Sequence, residues 1–567
     1  MRRVLMIVGL LFWAMQMSPA WAQLSVSFSH DGGICEKPVL LSLELSNNID
    51  DQEAIIRYTL NGNSPDGHSS LYRKPILLDS RCLSSSALYR IQNAPDEHWF
   101  CPDRVERIVV VRAAAFDRAG NRVSNVETRS YVVESLLGRK IRMPVVSLCV
   151  DSSSLFDYQS GIFIPGASFD PENPETTGNY YLSGRDAEKI AHVEFIDGDE
   201  VIAQTCGLRT HGNIGRRYAQ KGLSLYARNE YGKKNFKGVL SMEKDKRLVL
   251  RPFSNAWTSA GIQDYFCQQI ASGLHFDALF CKPVVLFLNG EYWGIYYLEQ
   301  KPDEKFVAKR HGFDPDSVRL VRDWAGHTKE GFDSGFVAMM RWLETADLTD
   351  PKQYAKISEI IDLESFTDYV LFETFIGNRD WPANNMRCWS AEGTPWRFIF
   401  FDGDAVRTTK FNAVENALRN DPAQLYPASP ESTLLLRKLL ENKDFKEKFL
   451  TRMSELYEKA FRWSDLSDMD VDMASVFGVV VNELEPEIAY QSARFSNPKD
   501  VKSWKKAVKN LRKYFKHRAI RVEREWERAL NVNPCSRFVK PILFLSVVAF
   551  IFTLLAVFIR SRRKTNQ

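Results

Sequence analysis

The chain has 567 residues, which is too long for one ordinary domain and predicts two or three. Hydrophobic residues make up 44% of the sequence and charged residues 26%, a composition that excludes a wholly disordered protein. The 75 basic residues nearly balance the 71 acidic ones, and the net charge of +4 gives no reason to expect nucleic acid as a partner.

Residues 1–22 have the pattern of a secretory signal peptide. Two arginines near the start precede an apolar stretch, and Ala20-Trp21-Ala22 forms a small-x-small cleavage pattern. We therefore expect the mature chain to begin at Gln23 and to lie outside the cytoplasm.

Residues 24–134 are predicted to form a small β-sandwich that closes on itself. Short alternating runs such as "LLSLEL" and "IIRYTL" are separated by the turn clusters "NGNSPDG" and "DRAGN". The stretches "IRYTLNGNSPDGHSSLYRKPILL" and "VVVRAAAFDRAGNRVSNVETRSY" resemble the β-sandwich module found at the C-terminus of chitobiases. The resemblance implies an accessory spacer. A sugar-binding unit is the alternative, although the sequence offers no convergent aromatic platform.

The region 143–520 is predicted to contain a β-rich lobe followed by an α-rich lobe. β-like runs such as "PVVSLCV" and "RLVLRPF" come first, and in "PVVLFLNGEYWGIYYLE" the pair Asn289 and Gly290 gives a strong hairpin signal. One stretch with helical spacing, "IQDYFCQQIASGL", lies between these strand groups. Helical patterns dominate after residue 332.

The C-terminal part of the chain is predicted to anchor the protein in a membrane. The stretch "WKKAVKNLRKYFKHRAIRVEREWERAL" is typical of one basic helix, whose cations form a solvated face or, alternatively, contact anionic headgroups. Residues 541–559 contain no charge and are long enough to cross the hydrocarbon core as one helix. The basic residues "RSRRK" follow, so 560–567 is expected to be a short cytoplasmic tail.

Nine cysteines lie in the mature chain, and the last of them is Cys535. Disulfides are permitted outside the cytoplasm, and an odd count leaves at least one thiol unpaired. The sequence has no CxxC pair and no Cys/His ligand spacing, so zinc is not expected.

The polar loop "GNRDWPANN", residues 377–385, directly follows the apolar run "YVLFETFI". A helix end is one interpretation, because Gly377 stops a helix and proline and asparagine make turns. A β-rich lobe followed by a helical lobe is, however, the plan of a protein kinase. The kinase catalytic loop places an Asn five residues after its catalytic Asp, and Asp380 and Asn385 have this spacing.

A second metal ligand is expected at the end of a β-hairpin. "MRCWS" and "WRFIFFD" are predicted strands separated by the turn "AEGTP", and the second ends on Asp402. Because a hairpin folds back on itself, Asp402 is expected to return close to Asn385. Carboxylate and carbonyl oxygens beside nucleotide phosphates suit Mg²⁺ or Mn²⁺.

The stretch "RTHGNIGRRYAQKGLSLYAR" offers a flexible turn with cationic side chains. Asn213 lies in the glycine-containing turn, and Arg216, Arg217 and Lys221 follow at the entry to a strand. Backbone N–H groups and positive charge both favour anions, so this segment is a candidate cover for phosphates. An ordinary basic β-hairpin on the surface is the alternative.

Four of these stretches together resemble the CotH family, kinase-like proteins first associated with bacterial spore coats. They are "RTHGNIGRRYAQKGLSLY", "FLNGEYWGIYYLEQKPDEKF", "NRDWPANN" and "WRFIFFDGD", and the resemblance covers roughly residues 143–520. It implies an atypical kinase fold that binds ATP and a divalent metal ion and phosphorylates Ser or Thr of proteins.

The resemblance also implies roles for individual residues, carried over by motif. Asp380 would be the catalytic aspartate, and Lys221 would meet the nucleotide phosphates. Asn385 and Asp402 would hold the metal ion. Asp404 would be a second ligand or a structural cap.

Two positions depart from the kinase pattern. Kinases hold the strand lysine with a Glu on the intervening helix, and Gln269 stands where relatives often carry that Glu. After the hairpin, Gln300 stands where relatives often place Glu, and Glu299 lies one residue early. Either Glu299 takes over the pairing with Lys221, or nucleotide binding is weakened.

These features predict an α+β protein in which a bilobal, atypical protein-kinase-like domain follows a small β-sandwich and precedes one C-terminal transmembrane helix. The expected function is an exported, membrane-anchored kinase that phosphorylates a surface or exported protein. A catalytically silent kinase fold acting as scaffold or adhesin is one alternative, favoured by the scarcity of ATP outside the cytoplasmic membrane. A kinase fold that transfers AMP or drives ligation is another. The retained catalytic and metal-binding residues favour an enzyme.

Overall fold

The structure is a computed structural model that describes residues 24–46, 54–83, 87–240, 244–253, 255–256, 259–406, 411–463 and 473–532. The predicted signal peptide, the apolar segment 541–559, the basic tail and Cys535 lie outside these residues. Within the described part of the chain, no helix has both the length and the apolar composition needed to cross a membrane. The eight described cysteines are free thiols.

The described residues fall into two compact units, each assembled from separate stretches of the chain. The first takes its described residues from Met1–Tyr265, Leu279–Phe306 and Val479–Val508, and the second from Phe266–Ala278, Val307–Gly478 and Lys509–Gln567.

The β-strands of the described residues are numbered in chain order. They are β1 (Ser25–Phe28), β2 (Gly33–Cys35), β3 (Leu40–Leu41), β4 (Leu43–Ser46), β5 (Ile55–Thr59), β6 (Ser70–Leu71), β7 (Ile76–Leu77), β8 (Val109–Phe116), β9 (Glu127–Val133), β10 (Val145–Cys149), β11 (Lys189–Asp197), β12 (Glu200–His211), β13 (Gly222–Tyr226), β14 (Phe236–Lys237), β15 (Lys244–Asp245), β16 (Arg247–Arg251), β17 (Asp277–Ala278), β18 (Cys281–Leu288), β19 (Glu291–Gln300), β20 (Arg319–Val321), β21 (Cys388–Ser390) and β22 (Arg397–Phe400).

The α-helices of the described residues are numbered in the same way. They are α1 (Glu134–Leu137), α2 (Ser152–Phe156), α3 (Gln263–Ala271), α4 (Glu304–His311), α5 (Ser334–Thr345), α6 (Pro351–Ile360), α7 (Leu363–Ile376), α8 (Ala413–Ala417), α9 (Pro430–Leu439), α10 (Lys443–Glu455), α11 (Met473–Leu484), α12 (Ile488–Phe495), α13 (Val501–Lys516) and α14 (Arg518–Ala529).

The N-terminal part of the first unit is β-rich, as predicted. β2, β9, β8, β5 and β6 form a five-stranded sheet in that order, and two small sheets pair β1 with β4 and β3 with β7. Alternate residues of a strand point to the same side, so each sheet contributes apolar side chains to one shared core. This core includes Val26, Leu41, Val109 and Tyr131.

The rest of the first unit is built on a closed barrel of seven strands. The strand order is β10-β11-β12-β13-β16-β19-β18, and a parallel pairing of β10 with β18 closes the barrel. Closure leaves no unpaired strand edge, which removes a surface prone to aggregation. The sequence predicted strands in this region, but its local patterns did not predict closure.

The Asn-Gly hairpin is confirmed. β18 and β19 pair antiparallel with Leu288 opposite Glu291, and the turn residues have positive φ values, 49° at Asn289 and 82° at Gly290. A turn with two positive φ values matches the twist of the flanking strands. The Asn289 side chain accepts from the backbone N–H of Val150 at 2.8 Å and donates to its carbonyl at 2.7 Å, which fixes the turn to the barrel.

Part of the connection between β7 and β8 packs into the barrel and not into the β-rich N-terminal part. Leu88 and Ala94 belong to the hydrophobic core of the barrel. The buried Glu291 carboxylate accepts the backbone N–H groups of Leu88 at 3.1 Å and Tyr89 at 3.0 Å. The segment 24–134 therefore does not close on itself as expected, because part of it fills the core of the barrel.

A buried carboxyl group joins the β-rich N-terminal part to the barrel. Glu194 on β11 accepts a hydrogen bond from the Ser130 hydroxyl on β9, and that hydroxyl lies 2.8 Å from the Ser147 hydroxyl on β10. Oε1 of Glu194 has no hydrogen-bond partner among the described residues. Burial raises the pKa of the Glu194 carboxyl from an ordinary value of 4.5 to about 7.

The second unit contains a small sheet and most of the longer helices. The sheet has the order β17-β22-β21-β20, and β21 and β22 form the predicted hairpin, with Cys388 opposite Phe398. The second strand ends at Phe400. Helix α7 packs against this hairpin through ring contacts of Tyr369 with Phe398 and of Phe372 with Phe400.

The carbonyl end of α7 is held by two side chains from the C-terminal helices. The buried Arg518 guanidinium donates to the carbonyl oxygens of Phe375 at 2.7 Å and Thr374 at 2.6 Å. The Tyr514 hydroxyl donates to the carbonyl oxygen of Ile376 at 3.0 Å. These bonds satisfy carbonyl groups that a helix leaves without internal partners at its end.

We expect Arg518→Met to lower the free energy of unfolding by about 3 kcal/mol, because two buried carbonyl groups lose a charged donor. Thermal unfolding of the purified full-length protein measures the change. Arg521→Met is the control, since this guanidinium is partly exposed and pairs with Glu525 on the helix surface. Its loss should cost less than about 1 kcal/mol. Equal losses for the two variants would contradict the capping role.

The stability of the fold should depend on the protonation of Glu194. Its folded-state pKa is raised, so its contribution is fully present below pH 4.5 and is lost as the pH rises through about 7. The shift corresponds to on the order of 3 kcal/mol. We expect the wild type to lose stability relative to Glu194→Gln between pH 5 and pH 8 in thermal unfolding. Parallel pH dependences of the two proteins would show that this carboxyl does not titrate as described.

Candidate active site

The polar loop 377–385 follows α7 without a break. Gly377 ends the helix with a φ of 68°, in the left-handed region where glycine has no steric penalty. The backbone N–H of Asp380 donates to Oδ1 of Asn378 at 3.1 Å, and the N–H of Asn384 donates to the carbonyl of Asp380 at 2.8 Å. The loop is therefore ordered by its own hydrogen bonds, and Asp380 is left half-buried.

Two side chains from other segments of the second unit fix the middle of the loop. The indole N–H of Trp324 donates to the carbonyl of Pro382 at 2.8 Å. The amide of Asn416 donates to the carbonyl of Trp381 at 3.0 Å. Because both bonds reach the backbone, they hold the path of the chain on either side of the Trp-Pro pair.

The hairpin returns Asp402 to the loop, as predicted. Nδ2 of Asn385 lies 3.4 Å from the carbonyl oxygen of Asp402, and a β-bridge joins Asn378 to Val406. Asn385 and Asp402 both have left-handed backbones, with φ values of 57° and 65°. Such conformations are uncommon outside glycine, cost free energy, and cluster at functional sites.

Asn385, Asp402 and Asp404 carry oxygen atoms in their side chains, and oxygen is the ligand atom that hard divalent cations prefer. The amide nitrogen of Asn385 faces Asp402, which leaves the amide oxygen for a ligand. Asp402 is half-buried, and Asp404 is 4% exposed. Among the described residues, no three His, Cys, Asp or Glu side chains form a metal-binding group. A cation here would therefore depend on the amide and on water, and Mg²⁺ usually keeps several waters.

A hydroxyl group of the same chain contacts the Asp380 carboxylate. Oη of Tyr426 donates to Oδ1 of Asp380, although 46 positions separate the two residues. Tyr426 lies between α8 and α9 and is 51% exposed. Tyr426 was not predicted as a site residue, because no local sequence pattern connects it to the loop.

Lys221 lies buried in the first unit, and three backbone carbonyls surround its ammonium. The acceptors are those of Asn93 at 2.7 Å, Arg216 at 2.8 Å and Tyr218 at 3.0 Å, so all three protons are used. Burial holds the pKa of the ammonium well below its usual range. Contact with nucleotide phosphates stays a prediction, and it requires the ammonium to exchange at least one carbonyl for a phosphate oxygen.

The glycine-containing turn before Lys221 keeps its two arginines occupied. Nε of Arg216 donates to the carbonyl of Gly212 at 2.6 Å, and the Arg217 guanidinium lies 3.2 Å from the Glu175 carboxylate. Asn213 is exposed in the turn. Phosphate binding by Asn213, Arg216 and Arg217 stays a prediction.

The acid expected to pair with Lys221 does not contact it. Glu299 is buried on β19, while the Lys221 ammonium donates its protons to backbone carbonyls. Oε1 of Gln300 accepts from the backbone N–H of Phe280 at 3.2 Å, and Gln269 is exposed on α3. The first of the two alternatives, in which Glu299 takes over the pairing, is therefore wrong for this structure.

The first unit contains another pair between a cation at the end of a strand and an acid on a helix. The Arg251 guanidinium, at the end of β16, lies 3.8 Å from the Asp264 carboxylate, in the first turn of α3. The side chains are 15% and 6% exposed. A strand cation held by a helix acid is the arrangement that kinases use. Both residues stand in predicted elements, in "RLVLRPF" and "IQDYF", but arginine and aspartate replace the lysine and glutamate of the kinase pattern.

We expect Lys221→Met to lower the thermal midpoint of the full-length protein. The reason is that three buried carbonyls lose their donor, at a cost of about 1–3 kcal/mol for each group left unsatisfied. Lys233→Met is the control, because that exposed lysine donates to a single carbonyl, that of Ala203. Lost ATP affinity with an unchanged midpoint would instead show that Lys221 meets the phosphates.

Comparison with known families finds two matches along the chain. Residues 43–131 match the family model described as Fn3 associated. No curated protein matches the chain. Residues 208–521, more than half of the chain, match the family model described as CotH kinase protein. The chain therefore belongs to the CotH kinase protein family, with an Fn3-associated module in its N-terminal part.

Proposed function

We propose that the protein is an ATP-dependent kinase that phosphorylates a Ser or Thr hydroxyl of an exported or surface protein. The observation that carries the proposal is the 3.4 Å approach of the Asn385 amide to the Asp402 carbonyl, since Asn385 lies in the same loop as Asp380. Membership in a kinase-like family supports phosphoryl transfer as the class of reaction. Action outside the cytoplasm, with a membrane anchor, rests on the sequence patterns at 1–22 and 541–559.

Asp380 is proposed to orient the acceptor hydroxyl and to take its proton during transfer. Its carboxylate accepts a hydroxyl hydrogen bond from Tyr426, which supports its ability to receive an acceptor hydroxyl. Positioned bases of this kind typically contribute about 10²–10⁴-fold to a rate. The loop hydrogen bonds around Asp380 hold its backbone in place before an acceptor arrives.

Asn385, Asp402 and Asp404 are proposed to hold Mg²⁺ or Mn²⁺. When bound, such an ion neutralises phosphate charge and clamps the nucleotide. Asn385 and Asp402 both have left-handed backbones, a conformation that clusters at functional sites, and this supports a ligand role for the two residues.

A catalytically silent scaffold is the second candidate, and the enclosed Lys221 favours it. A kinase fold whose lysine is saturated by carbonyls would bind nucleotide weakly or not at all. Its role would then be to present a surface to partners outside the cytoplasm. Transfer of label from γ-labelled ATP separates the candidates, and α-labelled ATP separates phosphoryl transfer from AMP transfer.

We expect Asp402→Asn to abolish metal-dependent ATP binding and Asp380→Asn to leave binding intact while lowering transfer by about 10²–10⁴-fold. Asparagine tolerates the left-handed backbone of Asp402, so the first change removes charge without adding strain. Asn385→Gly, which also keeps a left-handed backbone, should weaken metal affinity less than Asp402→Asn. Calorimetric titration of ATP with Mn²⁺ and a γ-label transfer assay on full-length protein measure the two steps.

Glu392→Gln is the matched control, because this exposed carboxylate lies in the turn of the same hairpin. It should leave binding and transfer unchanged. A purely structural loop predicts another pattern, in which all three site variants lower the thermal midpoint together and none separates binding from transfer. A wild type that binds ATP and transfers nothing would establish the scaffold instead.

A further inference from the structure

The hydrogen bond between Tyr426 and Asp380 places a phenol where a kinase receives its acceptor. A catalytic aspartate of this type accepts the hydroxyl that is to be phosphorylated. Among the described residues, the Tyr426 hydroxyl is the one donor that reaches the Asp380 carboxylate. The chain itself therefore supplies a hydroxyl group at the position of an acceptor.

The segment that carries Tyr426 is tied to the loop 377–385 by its backbone. The N–H of Ala383 donates to the carbonyl of Pro427 at 3.0 Å, one residue beyond the tyrosine. The amide of Gln424 donates to the carbonyl of Tyr426 at 3.2 Å. One backbone bond beside the tyrosine therefore joins its segment to the loop, and the hydrogen bond from Oη to Oδ1 of Asp380 joins its side chain to the same loop.

The surroundings of Tyr426 differ from those of a core tyrosine. Tyr426 is 51% exposed, and its neighbour Leu425 is 74% exposed. Tyr369, which also contacts this loop, is fully buried and stacks on Phe398. A side chain that is half in solvent and yet directed at the catalytic carboxylate is open to a reactant, whereas a core side chain is not.

We propose that Tyr426 is an intramolecular phosphoryl acceptor and the first residue that the enzyme modifies. The inference rests on the kinase function proposed above. Asp380 takes the proton of the Tyr426 hydroxyl as the phenolic oxygen forms a bond to the γ-phosphorus of ATP. The bond from that phosphorus to the β–γ bridging oxygen breaks, and its electron pair leaves with ADP. The products are phosphotyrosine and ADP, and the proton on Asp380 passes to water.

Phosphorylation of Tyr426 should also change its contact with Asp380. A phosphorylated tyrosine carries a charge of about −1.5 to −2 near neutral pH and no longer donates a hydrogen bond from Oη. Beside the Asp380 carboxylate this charge is repulsive. The Tyr426 side chain must therefore leave Asp380 after transfer, which frees the carboxylate for an acceptor on another protein.

The test uses purified full-length protein incubated with γ-labelled ATP and Mn²⁺, followed by trypsin and mass spectrometry. Cleavage after Arg419 and Arg437 gives the peptide 420–437, in which Tyr426 is the sole tyrosine. We expect phosphate on Tyr426 in the wild type and in the control Tyr158→Phe, which removes another exposed tyrosine. Tyr426→Phe should lose the mark from this peptide.

Three further measurements define the step. The labelling rate should not change over an about tenfold range of protein concentration, because the transfer is intramolecular. Asp380→Asn should lower it by about 10²–10⁴-fold. Wild-type protein should also fail to label the Tyr426 of an Asp380→Asn partner added to the same reaction.

The outcomes separate this inference from the function on which it rests. Label on dephosphorylated casein, used as a generic Ser/Thr acceptor, with Tyr426 unmodified would overturn the inference and leave the kinase intact. A Tyr426 labelling rate that rises with protein concentration would overturn the intramolecular step. Absence of γ-label on any protein would overturn the kinase and this inference together.

Discussion

The candidate active site depends on how the carbonyl end of α7 is held. The helix is buried along nearly its whole length, and the loop that carries Asp380 starts directly at its last turn. Arg518 and Tyr514 bind the final carbonyl groups. A buried guanidinium is costly to desolvate, and here hydrogen bonds to helix carbonyls offset that cost. Any shift of this end would displace the Asp380 carboxylate from its partners.

Two buried ionisable side chains in the first unit hold separate segments of the chain together. Lys221 joins a barrel strand to the Asn93 carbonyl of the connection that fills the barrel. Glu194 joins the barrel to Ser130 of the N-terminal sheet. Both groups lie between segments that the sequence pattern treats as separate. The Fn3-associated module is therefore part of the same folded unit as the barrel, and its contacts include polar groups that need their partners.

Features that depend on a short stretch of sequence were predictable, whereas features that depend on contacts between distant segments were not. The turn at Asn289 and the Asp380–Asn385 spacing follow from short stretches, and the structure has the hairpin and the ordered loop. The surroundings of Lys221 did not follow, because one of its carbonyl acceptors belongs to Asn93, 128 positions away. Arg518 reaches Phe375 across 143 positions, and nothing in either segment indicates the other.

Asn385, Asp402 and Asp404 are proposed to hold the cation that positions ATP beside Asp380. This site can be examined by diffraction from crystals grown with Mn²⁺ and a non-hydrolysable ATP analogue, because anomalous scattering locates manganese independently of the protein. We expect a manganese peak within coordination distance of the Asp402 carboxylate, with phosphate oxygens among its other ligands. Bound nucleotide with manganese elsewhere, or no bound nucleotide at all, would contradict the proposal.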